Sequence, residues 1–263
     1  MKRIEDLRLS LYCDGADLAA MLEMYSQPWI RGFTTNPTLM RKAGISDYES
    51  FARRLLGLIP DRPISFEVCA DDEAEIERQA LTICGWGNNV NVKVPVTNRH
   101  GVFRGALIRR LAAAGVTLNV TAVLTLEQVA SVAGALPADA PAIVSVFAGR
   151  IADTGVDPGP LMREAKRLLR CRPRAKLLWA SPRELLNIFQ AEEAGADIIT
   201  VPPEILRKLP LVGKDLAEYS RETVEMFYRD AVAAGYRIEN ASARHGGSVT
   251  DRGRLAAGNL SGR

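Results

Sequence analysis

Short β-branched and apolar runs alternate along the chain with longer segments of helical period. The runs are LSLYC (9–13), RGFTT (31–35), ISFEV (64–68), VNVKV (90–94), TLNVTAV (117–123), AIVSVFA (142–148), AKLLWA (175–180) and DIITVP (197–202). Each is followed by a helical pattern, which predicts eight parallel strands joined by crossover helices. Helix starts are marked by capping-box spacing at Ser46 with Glu49, Thr125 with Gln128, and Ser181 with Glu184. Pro182 falls at a first helical position, and Gly115 and Gly195 close helices ahead of the next strand. Residues 211–235 read as one more long amphipathic helix. Residues 1–235 therefore form one domain, and the Gly-, Ser-, Asn- and Arg-rich stretch 236–263 is expected to be a flexible tail.

An open doubly wound sheet and a closed barrel both accommodate eight βα units. Side-chain alternation favours the barrel. In NVNVKVPVT, Asn89, Asn91 and Lys93 share one face, and Val90, Val92, Val94 and Val96 the other. The valines suit packing against helices, so the polar face must look into a barrel or, on an edge strand, into water. Other strands repeat the pattern. Ser65 and Glu67 oppose Ile64, Phe66 and Val68, and Asn119 and Thr121 oppose Leu118, Val120 and Ala122. Thr34 and Asn36 follow on the second strand and Ser145 and Phe147 on the sixth, while Asp14 and Ser181 end the first and seventh. Seven strands thus carry polar groups toward their C-terminal ends, where (β/α)8 barrels build their sites.

Composition narrows the reading without changing it. The chain has 263 residues, a formal charge of +3 and 47% apolar residues, suited to a single α/β barrel of TIM type. Its 27 Arg and 7 Lys are scattered, which argues against nucleic acid as a partner. Cys13, Cys69, Cys84 and Cys171 form no CxxC pair, and with only His100 and His245 beside them no metal site is expected. They read as reduced, mostly buried thiols. With no signal-like or membrane-spanning apolar run, the chain is expected to be soluble and cytoplasmic.

The residue types suggest a chemistry. Neither histidine lies on a strand, so a Ser/His/Asp arrangement is excluded, and no glycine-rich nucleotide loop follows the first strand. What remains is Lys93 among carboxylates, amides and hydroxyls. A lysine amine is nucleophilic when neutral, a form that burial favours, and its natural electrophile is a ketone or aldehyde. Asp14 and Glu67 are then available to move protons. Ser181, Pro182 and Arg183, expected at a helix start, and Arg150 in the loop GRIADTG point to a phosphorylated substrate. His100 and Cys69 are read as a plain loop residue and a small packed side chain.

The motifs LYCDGAD, GFTTNPTLM, SFEV, VKVPVT, LNVTAV, SVFAGRIADTG, WASPRE and ITVPPEIL, between about Leu11 and Leu206, resemble in order those of the transaldolases. They resemble in particular those of the short bacterial subfamily that includes fructose-6-phosphate aldolase. The resemblance implies a barrel of the class I aldolase type and a cofactor-free transfer of dihydroxyacetone between phosphorylated sugars. It makes Lys93 the Schiff-base lysine and Asp14 the acid and base at the sugar hydroxyl. Glu67 becomes the carboxylate that acts through a water held by Thr121. Thr34 is expected among the substrate-binding residues; Asn36, Asn119 and Ser145 would bind donor hydroxyls, and Arg150, Ser181 and Arg183 the phosphate. Glu67 and Phe147 are the transaldolase choices where aldolases carry Gln and Tyr. A tyrosine there helps water attack the intermediate, whereas phenylalanine leaves it for an aldehyde acceptor. Pro182, where many transaldolases carry an aromatic residue, is a departure. The resemblance also implies a homo-oligomer, a pentamer or decamer through the C-terminal helix or else a dimer. Simple aldol cleavage, a non-catalytic phosphosugar-binding barrel and an additional interaction role for the tail stay open alternatives.

Overall fold

The computed structural model describes residues 4–238. Eight parallel strands close in sequence order into a barrel. They are β1 (Ser10–Asp14), β2 (Ile30–Thr34), β3 (Ile64–Glu67), β4 (Val90–Pro95), β5 (Leu118–Val123), β6 (Ala142–Val146), β7 (Ala175–Trp179) and β8 (Ile198–Val201). Among the described residues the helices are α1 (Leu18–Tyr25), α2 (Pro37–Lys42), α3 (Tyr48–Leu58), α4 (Glu73–Cys84), α5 (Gly105–Ala113), α6 (Leu126–Ala135), α7 (Ala148–Ala152), α8 (Pro158–Leu168), α9 (Leu186–Glu193), α10 (Pro203–Leu206) and α11 (Leu216–Ala233). None is long and apolar enough to cross a membrane.

Period-two alternation divides the apolar residues between two cores. Val90, Val92, Val94 and Val96 join the larger one, between strands and helices, with Ile76, Leu107 and Ile108. Tyr12, Ile143, Leu178, Ala180 and Ile198 form a smaller one, with Phe147 packed against it. Gly32 makes room for the Tyr12 ring, because a Cβ at that position would lie 2.5 Å from it.

Several local expectations are corrected. Asp47, not Ser46, caps α3, accepting from Ser50 N at 3.0 Å. The Thr125–Gln128 capping box is formed. Ser181 and Glu184 form none: residues 181–185 are not helical, and α9 begins at Leu186. Pro182 is therefore not at a first helical position, and Ser181 takes the left-handed region with φ 63°. Asn89 precedes β4 and leaves the polar face, donating to Ile59 O and Arg62 O at 2.9 and 2.8 Å. Ala122 leaves the valine-like face as well. The β5–β6 register shifts between Val120 and Val123, and Ala122 has φ 59°. Only Cys13 of the four free cysteines is buried, whereas Cys69 and Cys171 are exposed, so the thiols are not mostly buried and Cys69 is not a packed side chain.

Among the described residues, contacts group those up to Val212 as one compact unit, and a second begins at Gly213. Within the second, Asp215 caps α11 by accepting from Glu218 N at 2.8 Å. The expected tail lies outside the described residues from position 239 onward.

Candidate active site

Each strand delivers its last inward-facing residue to one end of the barrel. The register Glu67↔Lys93 and Lys93↔Asn119 places the ends of β3, β4 and β5 side by side. Asp14, Thr34, Asn36, Lys93, Asn119, Thr121, Ser145, Phe147, Arg150 and Ser181 line one cavity of about 90 Å³. Glu67 and Arg183 join Asp14, Asn36, Lys93, Phe147 and Arg150 around a wider mouth of about 490 Å³. All twelve candidate residues therefore gather at the C-terminal end of the barrel.

Lys93 is 6% exposed. Its ammonium donates to the Thr35 carbonyl at 2.7 Å and meets Glu67 Oε2 at 3.0 Å. Lys176, the other strand lysine, is exposed and lines a separate hollow with Arg8, Ser10 and Asp197, residues at or before the starts of β1 and β8. Asp14 accepts from Thr34 Oγ1 at 2.6 Å, and Thr34 shares a 2.6 Å contact with Thr200 Oγ1. Thr34 has one proton, so it accepts from Thr200 while donating to Asp14. Burial raises the Asp14 carboxyl pKa, with Lys93 and the Thr34 bond pulling it back.

Asn119 is held at both ends, accepting from Ser145 Oγ at 2.6 Å and donating to Ser65 Oγ at 3.1 Å. Thr121 Oγ1 is buried and has no hydrogen-bond partner among the described residues. A buried hydroxyl in that state is suited to hold a water or a substrate oxygen. Thr121 and the left-handed Ala122 lie together within the β5 irregularity between Val120 and Val123.

Arg150 lies on the short helix α7 rather than in a loop, with its guanidinium 5.0 Å from the centre of the Phe147 ring. It has no ion-pair partner among the described residues. Arg183 instead donates through Nε to Asp153 Oδ1 at 3.0 Å, with a second contact from Nη2 to Oδ2. Gly149 lets the α7 segment approach the loop after β7, because a Cβ there would sit 1.5 Å from Ser181 O. With Ser181 outside any helix, phosphate contact at a helix N-terminus is not available to it; its left-handed backbone beside Gly149 shapes the rim instead. His100 is an exposed loop residue whose N–H donates to Asn98 Oδ1 at 2.9 Å.

Thr200 and the Thr35 carbonyl escaped the sequence reading. The alternation of Ile198 and Thr200 in DIITVP marks Thr200 as inward-facing. Nothing in the sequence marks a backbone carbonyl.

The transaldolase/fructose-6-phosphate aldolase family model matches residues 11–240. The chain belongs to this family. It is 33% identical over 215 residues to a probable transaldolase of Dehalococcoides mccartyi, covering 80% of this chain and 96% of that protein. A probable transaldolase of a Roseiflexus species is 36% identical over 203 residues, covering 76% and 88%. Probable transaldolase 2 of Listeria monocytogenes is 29% identical over 219 residues, covering 81% and 95%. The barrel also resembles a dihydrodipicolinate synthase from Rhodopseudomonas palustris, with TM-score 0.51, 12% identity and coverage of 89% and 82%. A 2,3-dimethylmalate lyase gives TM-score 0.51 at 16% identity, covering 87% and 85%. At those identities the likeness concerns the fold alone.

Proposed function

We propose that this family member is a transaldolase, moving a dihydroxyacetone unit from a fructose 6-phosphate-like donor to an aldose phosphate through an imine on Lys93. The observation that carries the reading is a buried lysine 3.0 Å from Glu67, in a cavity whose wall also holds the half-buried carboxyl of Asp14. Glu67 takes a proton from Lys93, freeing the amine to attack the C2 carbonyl of the ketose. The C2 hydroxyl then leaves as water, protonated from Glu67 through a water on Thr121. Asp14 accepts the C4 hydroxyl proton as the C3–C4 bond breaks and an aldose phosphate departs. The electron pair remains as an enamine on the Lys93-bound three-carbon fragment. That enamine attacks the acceptor aldehyde, Asp14 returns its proton to the new alkoxide, and water restores the free lysine.

The narrow inner cavity suits the three-carbon fragment, with Asn119 and Ser145 at its hydroxyls, and the wider mouth suits the phosphate. Arg150, free of an ion pair among the described residues, is the inner phosphate contact, and Arg183 shares itself between phosphate and Asp153. Phe147 offers no hydroxyl to position a water that would protonate the enamine carbon and so allow hydrolysis of the resulting iminium, which supports transfer over cleavage. In assays with fructose 6-phosphate, adding erythrose 4-phosphate is expected to raise glyceraldehyde 3-phosphate release by at least about a hundredfold, the scale of a missing general acid for protonating the enamine. Release that ignores the acceptor makes the protein an aldolase; no release with or without the acceptor makes it a binding barrel.

The protein is further proposed to be a homo-oligomer assembled through α11. None of its side chains is buried, and Leu216, Val224, Phe227, Tyr228 and Val232 are 63–80% exposed. An apolar helix face of this extent calls for a covering surface. Light scattering is expected to give a multimer of the 28.7 kDa chain, and a monomer at micromolar concentration overturns the proposal.

A further inference from the structure

We infer that Tyr48 is a positioning residue for the Lys93–Glu67 pair, its hydroxyl standing in for the end of β2 so that the Thr35 carbonyl is left for Lys93. This rests on the proton-transfer role proposed for Glu67.

The reasoning starts from the β2–β3 ladder. Phe33 N donates to Pro63 O at 2.8 Å, and Thr35 N donates to Ser65 O at 3.0 Å. Parallel strands repeat such bonds every two residues. The next step would pair the Glu67 N–H with the Thr35 carbonyl and the Glu67 carbonyl with the N–H of residue 37. Residue 37 is proline and has no N–H. The Thr35 carbonyl is taken by Lys93 Nζ at 2.7 Å. Neither main-chain group of Glu67 therefore has its regular ladder bond on that side.

The Tyr48 hydroxyl satisfies both, accepting from Glu67 N at 2.8 Å and donating to Glu67 O at 2.9 Å. The ring is fixed edge-on by Phe66 and Trp86, with centroids 6.3 and 5.6 Å away. Burial holds the phenol well above its ordinary range, so it stays neutral and able to donate and accept at once. Without this hydroxyl, the Glu67 N–H would have to turn to the Thr35 carbonyl that Lys93 already uses, and the Glu67 carbonyl would lose its donor, so the β3 end that carries the carboxylate would shift relative to the amine.

Tyr48→Phe keeps the ring and removes the hydroxyl. With fructose 6-phosphate and borohydride, the variant is expected to form the Lys93 adduct at least about tenfold more slowly, the scale of a buried donor and acceptor left unpaired. Its donor KM is expected to stay near the wild-type value while the pH profile of kcat shifts. In that background Pro37→Ala supplies an N–H to the Glu67 carbonyl and is expected to recover part of the rate. An unchanged adduct rate and pH profile in Tyr48→Phe overturns the inference, whatever happens to its melting temperature. If the variant fails to fold, fluorotyrosine incorporated at position 48 perturbs only the hydroxyl, and the same two readouts decide. Wild-type protein that forms no adduct on Lys93 removes the proposed function itself, so the two failures are distinct.

Discussion

Lys93→Met is expected to eliminate the borohydride-trapped adduct and to lower turnover more than about a thousandfold, because no other group in the cavity can form an imine. Methionine matches the length of the lysine stem and packs adaptably, so folding is expected to survive. Loss of the cation leaves its mark on Asp14. Lys93 opposes the burial that raises this carboxyl, so the Asp14 pKa is expected to climb further in the variant. Peptide mapping of the trapped wild-type enzyme checks the site. An adduct on Lys176, at its separate hollow beside Arg8 and Asp197, would overturn the assignment.

Asp14→Asn is expected to lower kcat by about 10²- to 10⁴-fold, the range for removal of a positioned general acid and base. The same substitution is expected to raise the melting temperature at neutral pH. Its sign follows from burial, which raises the folded carboxyl pKa above the aspartate value of the unfolded chain. The folded state then prefers the neutral acid, and stability is lost as pH rises from the unfolded value through the folded one. An amide cannot ionise and avoids that cost, while its oxygen still accepts from Thr34. The gain in melting temperature should therefore shrink toward zero in acid, where the wild-type carboxyl is also neutral. A gain independent of pH, or no gain, contradicts this account. In the wild type the acid limb of kcat/KM is expected above the ordinary aspartate range, since cleavage needs the carboxylate. Catalysis and stability oppose each other at this residue.

Eight strands and the polar character of one barrel end are legible along the chain because alternation is a local property. A strand directs every second side chain to the same face wherever it sits, so Lys93, Asn119, Thr121, Glu67 and Ser145 declare their side of the sheet by spacing. The pattern fails where the backbone leaves the ideal strand. Asn89 keeps the parity of Lys93 but precedes β4 and is used in a loop. Ala122 keeps the parity of Val120, yet the β5 irregularity brings it to the mouth. Ser181 and Glu184 have the spacing of a capping box, but the approach of Gly149 to Ser181 O belongs to a rim built from two strands, and the helix starts later.

Residue chemistry and strand parity thus came from the order of amino acids, because both are set within a few residues. The hydrogen-bond partners did not. Thr200 reaches Thr34 only because β8 closes onto β1, a pairing separated by most of the chain. The Thr35 carbonyl is available to Lys93 because the Glu67 N–H donates to the Tyr48 hydroxyl instead. Those relations arise when distant segments share one register, and only barrel closure decides which donor meets which acceptor.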